Sequence, residues 1–307
     1  MVPEMIANPA PICLFAYKRP LHLIKTIEAL RRNPLASRSH LVIYSDGAKR
    51  AEDAAAVREV RSICHEVSGF ASVKLIEQEG NLGLARSVIG GVTEMCDTFG
   101  RVIVLEDDLI VSPHFLDFMN TALTLYEADE KVFSIHGYVF PVHNPLPETF
   151  FLLGADCWGW ATWSRAWRHF EADGRRLLKG LSRANLRRRF DFDGAYDYSG
   201  MLQQQIDGRV DSWAIRWQAS ALLEGGLTLY PGRSLVRNIG FDETGTHSSK
   251  TAAFDVEVSD TRVQVMRIPL IENEVALAEF ADYYRGLKPK GFKGVALRLK
   301  RVVRRFL

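Results

Sequence analysis

Hydrophobic and polar residues follow two alternating patterns through the first third of the chain. Short stretches rich in apolar residues, each ended by a polar turn, are typical of buried strands and lie at 11–17, 40–47, 72–78 and 101–106. Between them, apolar residues recur every three or four positions, as on one face of an amphipathic helix. Strands that alternate with helices of this length predict a mostly parallel sheet covered by helices.

The first helix and the second half of the chain add detail to this pattern. The helix after strand 11–17 has an apolar stripe at Leu21, Ile24, Ile27 and Leu30, which we expect to face the sheet. The second half is less regular, with a tryptophan-dense segment, a strand at 226–231 and a polar, glycine-rich loop. There is no internal repeat and no long linker, so nothing forces a second independent domain.

Three acidic residues lie at the end of the fourth predicted strand. The sequence VIVLEDDLIVSP, residues 102–113, places Glu106, Asp107 and Asp108 there. Carboxylates at the end of a buried strand repel one another and lose hydration energy unless something compensates them. Ser112 and Pro113 form a helix-start signal of their own, with Pro113 suited to the first helical position. The acids are therefore not needed as helix caps.

The position of these acids favours a divalent cation over a solvated acidic turn. Ligands of parallel sheets bind beyond the carboxyl ends of the strands. Carboxylate oxygens suit Mg²⁺ or Mn²⁺, and such an ion would also bridge a diphosphate. The sequence has no G-x-G-x-x-G after the first strand and no G-x-x-x-x-G-K-[ST], so a dehydrogenase or a P-loop enzyme has little support.

Several motifs, in the same order, resemble those of the GT-A nucleotide-sugar glycosyltransferases. More narrowly, the chain resembles a bacterial relative of the family that adds N-acetylglucosamine to mannose on N-glycans. The motifs are LFAYKRP, IYSDG, VIVLEDDLIVSPHF, GADCWGWATWSRAW and LVRNIGFDETGTHSS. The resemblance implies a Rossmann-like α/β GT-A sheet with an acceptor-side subdomain. Residues 1–130 would form the nucleotide-sugar-binding half, 131–284 the acceptor-side half of the same domain, and 285–307 a basic tail.

The resemblance also assigns donor-side residues. Arg19 would lie near the nucleotide diphosphate, and Asp46 would contact the uracil. Asp108, the last acid of its motif, would hold Mn²⁺ or Mg²⁺, with Asp107 beside it in the cofactor site. Arg86, on the helix after the sequence NLG, is a further candidate for the diphosphate, and its alternative is an ordinary surface residue.

Three more candidates come from the second half of the chain. Trp158 and Gly159 belong to the Gly-Trp segment that borders donor and acceptor in the family, and Trp158 and Trp160 are the tryptophans best placed to stack on a sugar. The remaining tryptophans are expected in the core. His247 lies in a segment that resembles the family's loop closing over the donor, which implies a contact with phosphate or metal; the alternative is an ordinary surface histidine.

The general base is assigned by a looser match. The family has an aspartate directly before a tryptophan at a helix start, whereas this sequence reads Asp211-Ser212-Trp213. Asp211 is the candidate, with Asp207 a weaker rival, and the alternative for Asp211 is a helix N-cap that competes with Ser212. An inverting transfer needs one carboxylate to accept the proton of the attacking hydroxyl, and positive charge opposite the leaving diphosphate.

Charge is distributed unevenly along the chain. The net charge is +2, but residues 285–307 hold nine Lys or Arg and no acid, so the other 284 residues carry 30 basic and 37 acidic side chains. An acidic body argues against a nucleic-acid enzyme. The tail places Val295, Leu299, Val302, Val303 and Phe306 on one face of a basic helix, which predicts docking to an anionic membrane surface. A helix packed on the body and a solvated terminus are the alternatives.

Composition places the protein in a cytoplasmic setting. The chain has 307 residues, 47% of them hydrophobic, and four cysteines without metal or redox spacing, which indicates free buried thiols. No signal peptide or membrane-spanning stretch is evident, so we expect a cytoplasmic protein at the inner face of the plasma membrane.

The sequence thus predicts a metal-dependent inverting glycosyltransferase that acts in polysaccharide biosynthesis. It would move a hexose or N-acetylhexosamine from a UDP-sugar to a glycan or lipid-linked acceptor. One alternative is a nucleotidyltransferase that makes sugar nucleotides, but that class has a glycine-rich loop after its first strand and AYKRPLHL contains no glycine. The other alternative is a non-catalytic sugar-binding GT-A domain.

Overall fold

A computed structural model of the chain describes residues 8–242 and 251–287. The first part contains β1 (Ile12–Ala16), α1 (Pro20–Arg31), β2 (His40–Ser45), α2 (Ala54–His65), β3 (Ser72–Glu77), α3 (Leu84–Phe99), β4 (Arg101–Glu106), β5 (Leu109–Val111) and α4 (Phe115–Leu125). The second part contains β6 (Val132–His136), β7 (Thr149–Leu153), β8 (Trp160–Trp163), α5 (Ser164–Trp167), α6 (Gly174–Arg183), α7 (Arg187–Phe190), α8 (Tyr198–Ile206), α9 (Trp213–Leu223), β9 (Leu227–Pro231), β10 (Val236–Asn238) and α10 (Glu274–Gly286).

Eight strands form one mixed sheet in the order β3-β2-β1-β4-β8-β6-β9-β7. The first four strands of this order are mutually parallel, as are β6 and β9, whereas β8 and β7 run antiparallel to their neighbours. The structure therefore confirms an α/β protein with a large, mostly parallel sheet flanked by helices. All four strands predicted in the first third of the chain form, and they are the parallel half of the sheet.

The core lies on both faces of this sheet. Successive strand residues point to opposite faces, so in β4 Ile103 and Leu105 join one hydrophobic cluster while Val102 and Val104 join the other. Helices cover both clusters, which explains why β1, β2 and β4 are apolar along most of their length, whereas the edge strand β3 has exposed polar residues at Ser72, Lys74 and Glu77.

The face that α1 buries differs from the predicted stripe. Leu21 is 69% exposed, and the buried residues are His22, Leu23, Thr26, Ile27, Ala29 and Leu30. The prediction for Leu21 was wrong because the buried face includes polar residues that a hydrophobic count ignores. Thr26 is one of them, and its hydroxyl donates a hydrogen bond of 2.8 Å to the Asp107 carbonyl.

The chain after the acids folds into more structure than predicted. Residues 109–111 form β5, which pairs antiparallel with β10 in a separate two-stranded sheet. Helix α4 begins at Phe115, after a turn in which Ser112 Oγ accepts the His114 N–H at 3.1 Å. Ser112 thus precedes the helix as predicted, but Pro113 lies in this turn and is not the first helical residue.

The expectations for the cysteines and for membrane-spanning helices can be compared with the described residues, whereas two others cannot. All four cysteines are buried and free, as predicted. None of the described helices is long and apolar enough to cross a membrane. Residues 288–307 lie outside the described residues, so the membrane-docking tail stays a prediction, as does the division of the domain into halves at residue 130.

Candidate functional site

The strand order reverses between β1 and β4, among the parallel strands of the sheet. The chain proceeds outward from β1 to β2 and β3, and then returns to form β4 on the other side of β1. The loops that follow β1 and β4 diverge at such a point, and ligands of α/β sheets bind there. Here Tyr17 N–H, after β1, donates a hydrogen bond of 3.1 Å to Asp107 Oδ2, after β4. The loops after β1 and β4 are thus joined directly.

Arg19 and Asp108 form an ion pair between the loops that follow β1 and β4. Arg19 Nη1 lies 2.7 Å from Asp108 Oδ2, and each side chain is 15% exposed. Within the described residues no donor reaches Asp108 Oδ1, although this oxygen is buried. Arg19 precedes Pro20 at the start of α1, so the end of β1 and the start of the helix fix its position.

A glycine brings a third segment over this ion pair. The pairing of β5 with β10 leads the chain to Gly240, whose carbonyl accepts a 3.3 Å hydrogen bond from Arg19 Nη2. Ile239 N–H also donates to the Asp108 carbonyl at 2.9 Å. A Cβ at Gly240 would overlap Asp108 Oδ2 and would lie 2.9 Å from Arg19 Nη1. Only glycine therefore lets the backbone approach the acid this closely.

The other two acids are destabilised in their charged forms. Burial, followed by the charges of Asp108 and Asp107, raises the pKa of Glu106 to about 8. Burial and then Asp108 raise the pKa of Asp107 to about 7. Arg19 is the cation that opposes these shifts in both cases. Among the described residues, Arg19 is thus the cation whose charge opposes those of the three carboxyl groups, and additional positive charge would stabilise them.

A divalent cation fits these residues if it arrives with a phosphate ligand. The described residues contain no group of three His, Cys, Asp or Glu side chains that could hold a metal ion. Mg²⁺ and similar ions, however, are commonly bound through one or two carboxylates together with substrate phosphates. The buried and unpaired Oδ1 of Asp108 is the atom suited to such a bond.

Asp46 lies at the predicted edge, directly after β2, and is fully engaged with the protein. Its Oδ1 accepts the backbone N–H groups of Gly47 and Leu82, and its Oδ2 accepts Gly83 N–H and Asn81 Nδ2, all within 2.9 Å. A carboxylate has about four acceptor positions, so these bonds use its capacity. Asp46 fixes the turn before α3, and contact with a base would have to replace one of these bonds.

The turn held by Asp46 presents Arg86. This arginine is exposed in the first turn of α3, three residues after Gly83. Gly83 has φ of 79° and ψ of 156°, a conformation that favours glycine and starts the helix abruptly. The structure thus places Arg86 at the same sheet edge as Asp46, on a well-fixed backbone.

The Gly-Trp segment separates into an accessible tryptophan and a buried one. Trp158 is partly exposed and packs edge-on against Tyr138, with ring centroids 4.7 Å apart. Gly159 has φ of +65°, and a Cβ there would lie 2.7 Å from Val236. Trp160 is 0% exposed and stacks on Trp213 in the core. The prediction that Trp160 could stack on a sugar was therefore wrong, because Trp160 begins β8 in the middle of the sheet, where both faces are covered.

Asp211 is exposed beside the start of α9. Its side chain is 64% exposed and its Oδ1 lies 3.1 Å from Arg216 Nη2. Ser212 caps the helix by accepting Ile215 N–H at 3.2 Å, so the alternative that Asp211 is the N-cap is excluded. Asp207, the rival, ends α8 and pairs with Arg209.

The N-terminus of α9, beside Asp211, lies over the sheet face that leads to the acids. Trp213 stacks on Trp160 with centroids 5.4 Å apart, and Trp160 pairs with Val104 of β4. Glu106 follows Val104 on the same face, since strand residues alternate. His247 lies outside the described residues, so its role stays a prediction.

Three features of the site were not predicted from the sequence. His22, on α1, lies 3.0 Å from Asp242 and 3.3 Å from the Ile239 carbonyl, and so holds the segment around Gly240. Asp53 pairs with Lys18 at 2.6 Å and thereby anchors the loop that carries Arg19. Asp156, two residues before Trp158, is a partly buried carboxylate among tyrosines. An acid inside the Gly-Trp segment is the one sequence signal for Asp156, and the other two residues have none.

Comparisons with known proteins give distant likenesses. No protein-family model matches the sequence, and a search of curated proteins finds no match. Over 43% of its length the chain is similar to the mannosyltransferase PcManGT of Pyrobaculum calidifontis, solved in complex with GDP-Man and Mn²⁺, at 14% identity and a TM-score of 0.31. Over 45% it is similar to TarS of S. aureus, at 10% identity and a TM-score of 0.30. The matches span 36% and 23% of those two chains.

Proposed function

We propose that this protein is a metal-dependent inverting glycosyltransferase that transfers a sugar from a UDP-sugar to a hydroxyl of a glycan or lipid-linked acceptor. The observation that carries the proposal is the ion pair of Arg19 and Asp108 beyond the carboxyl ends of β1 and β4, where the strand order reverses. It combines a cationic side chain for a diphosphate with a buried, unpaired carboxylate oxygen for a cation. The order of sequence motifs supports the same class.

The donor side is formed by the loops after β1, β2 and β4. Asp108 would hold Mn²⁺ or Mg²⁺, which when bound supplies positive charge opposite the departing diphosphate. Arg19 is released from Asp108 to bind the diphosphate, and Arg86 provides a second cation from α3. Asp46 fixes the turn that positions Arg86, and Asp107 fixes the loop that carries Arg19.

The acceptor side uses Asp211 as the general base. Its exposed carboxylate accepts the proton of the acceptor hydroxyl while that oxygen attacks the anomeric carbon. The bond from the anomeric carbon to the diphosphate oxygen breaks in the same step, and the configuration inverts. Arg216 orients the carboxylate through their 3.1 Å ion pair, and Trp158 with Gly159 borders the sugar.

Calorimetric titration of UDP tests the donor site. Wild-type protein and Asp108→Asn are titrated with and without Mn²⁺, with Asp97→Asn as a matched control because Asp97 is exposed on α3. We expect Mn²⁺-dependent binding by the wild type and the control, and a loss of about tenfold or more in Asp108→Asn, since a charged ligand to the metal is removed. UDP binding that ignores both Mn²⁺ and Asp108 would contradict the proposal.

We propose further that the basic tail attaches the enzyme to a membrane surface. Residues 285–307 would bind the anionic inner face of the plasma membrane and bring the site to lipid-linked acceptors. Sedimentation with vesicles rich in phosphatidylglycerol, compared with neutral phosphatidylcholine vesicles, tests this. Equal binding to both would contradict it.

A further inference from the structure

A small aromatic cavity lies beside the Gly-Trp segment. Asp156 and rings of several aromatic residues line it, among them Tyr138, Trp158, Tyr196, Tyr198 and Tyr284. Its volume is about 30 Å³. A buried water needs roughly 10–15 Å³ of such space, so the cavity has room for one small chemical group. The proposed sugar transfer does not require this cavity.

The aromatic walls hold one another in place. Tyr138 and Trp158 pack edge to face at 4.7 Å between ring centroids. On the other side, Tyr196 lies 4.5 Å from Tyr284 and 4.6 Å from Tyr198. The hydroxyls of Tyr198 and Tyr284 are 3.2 Å apart. The walls are thus built from residues far apart in sequence, and their positions are determined by the fold.

The carboxylate of Asp156 has little to balance its charge. Tyr230 donates a 3.2 Å hydrogen bond to its Oδ2, and no Lys, Arg or His occurs among the described residues that line the cavity. Burial raises the pKa of Asp156 to about 6. In turn, after the effect of burial, the charge of Asp156 raises the pKa of Tyr196 and Tyr198. An anion faces the cavity, and no cation of the described lining compensates it.

We propose that this cavity binds an ammonium group, with Asp156 as its counter-ion and the surrounding rings as a cation–π cage. Ammonium groups are attracted to the faces of Tyr and Trp rings, and a charge-assisted hydrogen bond to a carboxylate is stronger than a neutral one. A neutral hydroxyl group would have no cation–π attraction to the rings and only an ordinary hydrogen bond to the carboxylate. The group belongs to an amino sugar or to an ethanolamine-type head group, and the inference does not depend on sugar transfer.

Methylammonium is the simplest probe of the shared chemistry. Its binding to the whole protein is followed at about pH 7 by saturation-transfer NMR on its methyl signal, with methanol as the neutral comparison. We expect methylammonium to bind at least about tenfold more tightly than methanol, since the ion gains both interactions. Equal binding of the two probes would overturn the proposal without any variant.

Two variants connect the binding to this cavity. Asp156→Asn keeps the shape and can still accept the Tyr230 hydrogen bond, and Tyr196→Leu replaces one ring face by an aliphatic side chain. Each should weaken methylammonium binding about tenfold, whereas Asp97→Asn should leave it unchanged. Binding that survives both substitutions would overturn the proposal.

Larger probes distinguish the two sources of the ammonium group. Glucosamine is compared with glucose, and ethanolamine with ethylene glycol, in the same assay. Preference for the amine in one pair supports that source, and preference in neither pair overturns the proposal. UDP binding with Mn²⁺ is measured in parallel on Asp156→Asn and should be retained, so failure of the donor site and failure of the ammonium site give different results.

Discussion

Replacing Asp156 should make the protein more stable at neutral pH. Burial raises the pKa of this carboxyl group from its ordinary value of 3.8 to about 6. The charged form is therefore disfavoured in the folded state. An asparagine side chain at this position would have nearly the same shape without the charge, so the Asp156→Asn protein would not carry this cost.

The size and pH range of the effect follow from the shift. One pKa unit corresponds to about 1.4 kcal/mol, so a shift from 3.8 to about 6 bounds the cost at about 3 kcal/mol. We expect about 1–3 kcal/mol, because Asp156 keeps some contact with solvent. The cost is absent below about pH 4, where the carboxyl group is protonated in both states, and is complete above about pH 6, where it is charged in both.

Neighbouring groups should not obscure this signal. The pKa values of Tyr196, Tyr198, Tyr230 and Cys157 are all raised by burial, so these groups stay neutral between pH 4 and 8. Urea unfolding of wild type and Asp156→Asn at about pH 4 and pH 8 measures the difference. Asp97→Asn should show no comparable pH dependence. If Asp156→Asn is less stable than wild type at both pH values, the carboxylate is not the strained group inferred from its burial.

Three further changes test the site. Gly240→Ala should lower Mn²⁺-dependent UDP affinity about tenfold or more, because the added Cβ would overlap Asp108. Gly90→Ala is the control, since its Cβ would have open space, and should leave the affinity unchanged. Equal titration curves for the two variants would refute this. Asp46→Asn should cost about 1–3 kcal/mol of unfolding free energy, since its amide nitrogen cannot accept the backbone N–H groups it would face; urea unfolding without a change would refute this. Trp160→Ala should cost about 3–5 kcal/mol in the same assay because its ring is buried, and a cost below about 1 kcal/mol would contradict its place in the core.

The sequence was most informative where a pattern of residues is compatible with only one kind of structure. Apolar stretches at even spacing predicted the parallel strands because both faces of such strands are buried. The acids of VLEDD were predicted to lie at a ligand-binding edge, and the structure places Asp108 and Arg19 there, 2.7 Å apart. Their place at a common edge could be predicted without detailed geometry, because both residues follow the ends of parallel strands within three positions, whereas their ion pair was not predicted.

Features that depend on the direction of a side chain were harder to predict. Trp158 and Trp160 lie on either side of Gly159 in sequence, and it is the start of β8 at Trp160 that determines which of them is buried. Leu21 fits a helical stripe as well as Leu23 does, and the packing of α1 on β5 decides between them. Asp156 acquires its special environment from tyrosines that belong to several separate segments of the chain, Tyr138, Tyr196, Tyr198 and Tyr284. No local pattern in the sequence contains that information.

The four hydrogen bonds of Asp46 also limit how a phosphate group could bind at this sheet edge. The N-terminus of a helix carries a partial positive charge and free N–H groups, and many nucleotide-binding sheets direct a diphosphate to it. At α3 that place already belongs to an internal anion, because Asp46 accepts the N–H groups of Leu82 and Gly83 just before the helix begins. A diphosphate at the start of α3 would therefore meet the negative charge of Asp46. The charge of the diphosphate would have to be balanced by arginine side chains and by a cation. This agrees with the sequence of the edge, which has three acids that could hold a cation and has no glycine-rich phosphate loop.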